Sequence, residues 1–356
     1  MKVALITDTH WGVRNDAHNM LDYFGKFMED VFFPYLDEHN IDTVIHLGDL
    51  VDRRKYINFV TLRHLRNNFM DELEKRDITM HIIAGNHDVP YKNSNEINAM
   101  NELFDKYDNV NIYWEPETIQ IDGTDICLMP WINNANYANA ITHMNETPAQ
   151  ILMGHLEIAG CLMMRGLSNE HGMDIDTFDK FDMVMSGHFH TKSVTNNIHY
   201  LGTPYQITWS DYKEVKGFYI FDTNTRNLEF IENPHENFFK VYYDDIPYGD
   251  MSFIKDSNEY EHFKGAYVKV IVQSKENPYW FDVFMERITS NAPAAVQVVD
   301  DHLNLNLEDD DDIVNQAEDT VTILSKYIDG MSTEIPKKRL DSLMRSLYNE
   351  ALHMEV

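Results

Sequence analysis

The chain has 356 residues, 43% of them hydrophobic, which is enough for one large core and a smaller module, and it carries a formal net charge of -30. A protein that grips nucleic acid unaided is expected to present a basic surface, so this charge argues against tight DNA binding by the chain alone. It leaves a metal site open, because divalent cations invert the local electrostatics where an anion sits.

No apolar run approaches the ~18 residues of a membrane span. The amino terminus enters strand-like sequence directly, with no basic leader, so a soluble, unexported, cytoplasmic protein is expected. The two cysteines, Cys127 and Cys161, form no CxxC pair; a reducing compartment fits, and a sulfur-ligated metal does not.

In chain order, apolar or β-branched runs predict strands at Val3 to Thr7, Thr43 to Leu47, Thr79 to Ala84, Ile126 to Pro130, Gln150 to Met153 and Met183 to Ser186. Amphipathic stretches of helical period, such as Ala17 to His39 and Phe59 to Lys75, lie between them, and the alternation predicts a layered α/β domain. After Gly187 the candidates crowd together (Lys192 to Thr195, Ile198 to Leu201, Gly217 to Asp222, Asn227 to Ile231), as in an antiparallel meander closing a domain of residues 1–237.

Residues 238–306 read as a small α+β capping module, with strands at Phe239 to Tyr243, Ala266 to Gln273 and Ala294 to Val299 around a helix from Pro278 to Thr289. An acidic linker at 307–312 precedes a helix pair at 313–356. There Leu340, Leu343, Met344, Leu347 and Ala351 form one apolar stripe, which packs on its own domain or clasps a partner.

The chemistry lies where the strands end. Asp8-Thr9-His10, Gly48-Asp49, Gly85-Asn86-His87-Asp88, Gly154-His155 and Gly187-His188-Phe189-His190 each follow a strand candidate. Polar groups beyond the carboxyl ends of sequence-distant strands can converge on one site, and a glycine before a ligand allows a sharp turn or positive φ. Imidazole, carboxylate and amide donors without thiolate suit manganese, iron or zinc, and Asp49, alone after its strand, is the natural bridge between two ions.

This set resembles the calcineurin-like metallophosphoesterase superfamily, whose pattern D-x-H, G-D, G-N-H-D/E, H, G-H-x-H is complete over roughly residues 1–231. The resemblance implies an α/β/β/α domain and two divalent ions, Mn²⁺ foremost with Mg²⁺, Fe²⁺ or Zn²⁺ as alternatives. It implies that Asp8, His10, Asp49 and His190 hold one ion, that Asp49, Asn86, His155 and His188 hold the other, and that His87 stays unligated beside the scissile phosphate.

Within the superfamily the chain is similar to the SbcD family of nuclease subunits, especially phage recombination-endonuclease subunits, through Asp8-Thr9-His10-Trp11-Gly12, Tyr200-Leu201-Gly202-Thr203-Pro204 and Lys216-Gly217-Phe218. That implies a DNA exonuclease/endonuclease, an SbcC-type ABC ATPase partner, DNA ends as substrate, a homodimer, and the host cytoplasm if phage-encoded. Where some members place a histidine three residues after the bridging aspartate, this chain has Asp52. The string Gly48 to Arg53 is also similar to protein Ser/Thr phosphatases, so Asp52, or Asp88, is expected to hold a protonated His87.

Arg53, Arg54, Lys55, Arg63 and Arg66 beside the bridging loop, and Lys92 after the histidine loop, are candidate phosphate contacts, against the alternative of a solvated face with ion pairs. His46 and His81 lie on strands and read as hydrogen-bonded core or strand residues rather than ligands. Trp131 and Trp209 read as core more readily than as base-stacking platforms. The Met20 to Phe33 helix is a candidate dimer surface or a buried one. Two other functions compete: a phosphatase or cyclic-nucleotide phosphodiesterase of the same superfamily, and a DNA-end tethering scaffold for an ATPase.

Overall fold

The computed structural model describes residues 1–91, 93–164 and 167–300, together with 337, 339 and 340. The chain divides into two compact units, Met1–His302 and Leu303–Val356. In the second unit Lys337, Arg339 and Leu340 are helical. The acidic linker, Leu343, Met344, Leu347 and Lys92 lie outside the described residues.

The first unit contains strands β1 (Lys2–Ile6), β2 (Thr43–His46), β3 (Thr79–Ile83), β4 (Val110–Tyr113), β5 (Glu117–Ile121), β6 (Thr124–Met129) and β7 (Ile151–His155). They are followed by β8 (Leu162–Met164), β9 (Leu167–Ser168), β10 (Met183–Gly187), β11 (Ser193–Thr195), β12 (Ile198–Tyr200), β13 (Gly217–Asp222) and β14 (Leu228–Glu232). The last three are β15 (Phe238–Tyr243), β16 (Tyr267–Val272) and β17 (Ala295–Asp300).

Two six-stranded sheets result, ordered β14-β13-β1-β2-β3-β4 and β11-β12-β10-β7-β6-β5. Their inner strands run parallel: β1 with β2, β2 with β3, β6 with β7, and β7 with β10.

Side-chain alternation explains the layering. Val3, Leu5, Ile45 and Ile83 meet Ile126, Leu128, Ile151, Met153 and Met185 in one buried cluster between the sheets. Ala4, Ile6, Val44 and Ile82 point the other way, into a cluster with Phe24, Phe27, Phe32 and Phe69 from the helices. Cys127, Met129, Leu152 and Val184 do the same on the second sheet with Ala140, Met144 and Phe178. Both faces of each central strand are therefore buried, which is why these runs are apolar rather than alternating.

Helix His18–Phe27 continues through a π-helical turn at Met28–Phe32 into Phe33–His39. The wider turn has a local cause: Pro34 has no N–H to give the preceding turn, and Phe33 N–H instead reaches back to the Met28 carbonyl. Met20, Phe24, Phe27, Met28 and Phe32 are all buried in the monomer, so the apolar face considered for dimerisation belongs to the core. Full burial of each such phenylalanine contributes roughly 1.5–3 kcal/mol.

The crowded strands after Gly187 are not one meander. β11 and β12 form a hairpin on the second sheet, whereas β13 and β14 form a hairpin on the first, with β13 antiparallel to β1. The segment from Leu201 to Lys216 crosses between the sheets, and sequence spacing alone does not distinguish this crossover from a long turn.

β15, β16 and β17 form a separate parallel sheet, with helix Pro278–Thr289 joining the last two. Its cluster contains Tyr243, Val268, Val270, Phe281, Phe284 and Ile288. Trp209 packs edge-on against Phe238, where this sheet begins. Arg14 lies over the rings of Phe238 and Tyr267 at 5.0 and 4.5 Å. No helix among the described residues is long and apolar enough to cross a membrane.

Candidate metal centre

The parallel strands β1, β2, β3, β7 and β10 deliver all five polar clusters to one place. The loops after β1 and β2 stay bonded beyond the strands: Asp8 N–H donates to the Gly48 carbonyl at 3.0 Å, His10 to Asp49 at 3.1 Å, and Trp11 to Leu50 at 3.0 Å. This ladder fixes Asp8, His10 and Asp49 relative to one another before any ion arrives.

Three overlapping groups with ligand atoms within 4.8 Å follow among the described residues: Asp8, His10 and His190; His10, Asp49 and His87; Asp49, His155 and His188. Asp8, His10, Asp49 and His155 have no exposure at all, and Asn86 and His188 are buried.

The donor atoms point inward. His155 presents Nδ1 to the Leu47 carbonyl at 2.8 Å, which turns Nε2 toward the centre. Asn86 Oδ1 stands 2.9 Å from both His155 Nε2 and His188 Nδ1. Asp49 divides its carboxylate: Oδ1 accepts the His87 N–H at 2.7 Å, while Oδ2 lies 3.3 Å from His155 Nε2 and 3.7 Å from His10 Nε2. Asp49 Oδ2 and His188 Nε2 are buried without a hydrogen-bond partner, a costly state for polar atoms unless something else meets them. These donors, all imidazole, carboxylate or amide, fit a borderline divalent cation.

The main chain is strained at the same residues. Asp8, His10, Asp49 and His188 have φ of 51°, 43°, 55° and 88°, in the left-handed region that non-glycine residues avoid. The glycines have a different task from the one expected. Of the four before the ligand groups, only Gly48 takes positive φ, at 92°. A Cβ on Gly85 would sit 2.2 Å from Asp49 Oδ1, and one on Gly187 would sit 2.1 Å from Thr7 Oγ1. The loops need room there more than they need turning freedom.

His87 adjoins the centre, its ring centroid 4.9 Å from that of His10. Its Nδ1 meets the main-chain carbonyl of Asp52 at 2.5 Å, and its Nε2 is buried without a partner. The Asp52 carboxylate faces His10 instead, 3.5 Å from Nδ1. The Asp88 carboxylate accepts the N–H groups of Gly85, Asp49, Leu50 and Val51 at 2.9, 2.8, 2.9 and 3.2 Å. Neither carboxylate therefore pairs with His87, and burial lowers the His87 pKa, so its ring is neutral at neutral pH. Nothing in the sequence distinguished a carboxylate that binds main chain from one that binds imidazole.

Charge inside the site is finely balanced. Burial pushes Asp8 up to about 6. Burial and the Asp49 charge push Asp88 to about 7. Burial opposes the charge on His10 and His155, but Asp52 and Asp49 beside the first and Asp49 beside the second outweigh it, raising both to about 9. His188 and His190 are held well below the ordinary range, chiefly by burial.

The other sequence candidates have partners of their own or lie at the surface, though Arg54 and His46 both feel the charge of Asp49. Arg53 donates to Tyr56 Oη and Asn15 Oδ1, both at 2.5 Å, and lies 3.5 Å from Asp16. Arg54 is half-buried, and Lys55 is exposed. Arg63 and Arg66 are exposed, and Arg66 donates to the Leu103 carbonyl. His46 is a fully buried core residue with Nε2 3.0 Å from Thr9 Oγ1, whereas His81 is a half-buried strand residue whose Nδ1 meets Tyr113 Oη at 2.9 Å.

A support the sequence did not reveal is Lys216, whose buried Nζ donates to the His190 carbonyl at 2.9 Å and pairs with Asp211 at 2.6 Å and Glu214 at 2.9 Å.

The chain is similar in sequence to several known proteins. Exonuclease subunit 1 of Enterobacteria phage T4 is 31% identical over 358 residues, 99% of each chain. The SbcD subunit of nuclease SbcCD from Staphylococcus saprophyticus is 23% identical, covering 98% of this chain and 99% of its own. The protein of the same name from Staphylococcus epidermidis is 21% identical over 94% of each. The model of the calcineurin-like phosphoesterases matches residues 1–192, more than half of the chain, and the chain belongs to the calcineurin-like phosphoesterase family.

Proposed function

We propose that the chain is the nuclease subunit of an SbcCD-like DNA repair and recombination complex, hydrolysing phosphodiester bonds at DNA ends with two divalent ions, Mn²⁺ foremost. The observation that carries this reading is Asp49 Oδ2, unpartnered between His155 and His10, where it would join two ion sites into one. In this assignment Asp8, His10, Asp49 and His190 hold one ion, and Asp49, Asn86, His155 and His188 hold the other. Such ions, when bound, lower the pKa of a coordinated water toward ~7 and neutralise phosphoryl oxygens.

The protein's own part is positioning and proton control. His87 donates Nδ1–H to the Asp52 carbonyl, so its neutral Nε2 faces the substrate side and gains a proton as the phosphate anion enters. From there it stabilises the charged phosphoryl group or protonates the leaving oxygen. Asp52 orients His10, and Asp88 ties the bridging and histidine loops together.

Nuclease names across nearly the full length of three relatives support DNA over a small phosphomonoester. The net charge of -30 supports sharing the DNA grip with an SbcC-type ATPase, docked through the 313–356 segment, and a homodimer in the host cytoplasm is part of the same reading. Arg53, Arg54, Lys55 and Lys92 are the candidate phosphate contacts on this chain.

The deciding experiment measures nucleotide release from linear duplex DNA with manganese beside hydrolysis of a small phosphomonoester. Faster turnover of the phosphomonoester, with DNA untouched, would replace this reading by a phosphatase.

A further inference from the structure

Beside the histidines of the second ligand group lies a cavity of about 280 Å³ that the metal chemistry does not use. It opens at the carboxyl ends of β6 and β7, and its walls include Trp131, Tyr137, Leu156, Glu157, Met173 and Asp174. We infer that this cavity is a nucleobase subsite, holding a base next to the scissile phosphate of the strand being cut. The inference rests on the DNA reading above.

Trp131 links the two sites. Its ring lies 5.1 Å from that of His188 and 6.2 Å from that of His155, so the cavity begins one indole away from the ligands. A base tethered to its phosphate through a single sugar reaches that distance. The indole is half-buried and its main chain is fixed on three sides: N–H to the Ala84 carbonyl at 2.7 Å, and carbonyl from Asn95 at 2.7 Å and Asn136 at 2.9 Å. A rigid aromatic face costs little entropy to stack upon.

Tyr137, 52% exposed, offers a second aromatic ring. The part of the lining formed by Glu157, Gly172 and Met173 is also built. Met173 N–H donates to the Glu157 carbonyl and Ala159 N–H to the Met173 carbonyl, at 2.8 and 2.9 Å. Gly172 lies so close that a Cβ would be 2.3 Å from that same Glu157 oxygen.

Charge selects the occupant. Glu157 and Asp174, the latter accepting the Asp176 N–H at 3.1 Å, place negative charge on the cavity lining, which disfavours a phosphate there and leaves the aromatic and apolar faces to a base. Aromatic and apolar faces with a few polar edges are the composition of base-stacking sites.

The test uses the full-length, Mn²⁺-loaded protein on duplex oligonucleotides that are intact or carry one tetrahydrofuran abasic residue on either side of the cut. Wild-type kcat/KM is expected to be roughly ten-fold higher for the intact strand at one of the two positions, the lower range of what one stacked base contributes. Tyr137→Ala and Trp131→Ala should each bring that ratio to near one. Metal content is measured in parallel, and Tyr137→Ala, whose ring is remote from the ligands, keeps the test valid if Trp131→Ala loses ions. Equal cleavage of intact and abasic strands by the wild type, or an undiminished ratio in both variants, would overturn the subsite alone. Failure of the wild type to cut either strand would remove the DNA reading and the subsite with it.

Discussion

The Nε2 atoms of His10 and His190 face each other at 3.1 Å, brought together from strands in different sheets. Two imidazole nitrogens at that distance share at most one proton, or turn both lone pairs toward one cation. The same competition between proton and cation governs the rest of the centre. His10 and His155, both raised to about 9, are protonated at neutral pH until an ion displaces their protons.

Manganese affinity should therefore climb as pH rises from about 6.5 to about 9, close to ten-fold per unit for each proton released. Calorimetry in two buffers of different ionisation enthalpy would report that release near pH 7. Binding with no proton release would contradict the protonated state of these two rings.

His87→Ala should cut turnover by about 10²–10⁴-fold while metal content stays at the wild-type level, because Nδ1 is tied to the Asp52 carbonyl and the buried, unpartnered Nε2 is left for substrate rather than for an ion. Elemental analysis alongside kinetics checks this, and ion loss in step with activity would make His87 a ligand.

Asp88→Ala should behave in the opposite way. Removing the acceptor of four buried N–H groups should cost about 3 kcal/mol or more and loosen both the Asp49 and Asn86 loops. A lower melting temperature and weaker manganese binding are expected together, with Asp88→Asn intermediate. Unchanged thermal stability would show that water can replace the carboxylate.

Gly187→Ala should lower metal content, since its Cβ would meet Thr7 Oγ1 at 2.1 Å and Asp8 Oδ2 at 2.8 Å. Gly249→Ala is the matched control, with nothing within 4 Å of the added carbon. Equal metal content in the two variants would mean that the Asp8 loop yields at little cost.

Deleting residues 313–356 should abolish co-purification with an SbcC-type ATPase and leave basic manganese-dependent hydrolysis in place. Retained co-purification would move the docking surface to the first unit.

The sequence by itself marked the layered fold and the five polar clusters, because each cluster follows an apolar run that only a buried strand explains, and all five share one end of their strands. It also marked the small α+β module, whose strands and helix fall close to where periodicity puts them. Tertiary structure decided what depends on distance between remote loops. It sent the Asp88 carboxylate to main-chain N–H groups and the Asp52 carboxylate to His10, and it set the two terminal hairpins on different sheets. Those outcomes turn on contacts of a few ångströms between segments some 35 or more residues apart, such as Asp49 with Asp88 and Asp52 with His87, and local propensity carries no record of such contacts.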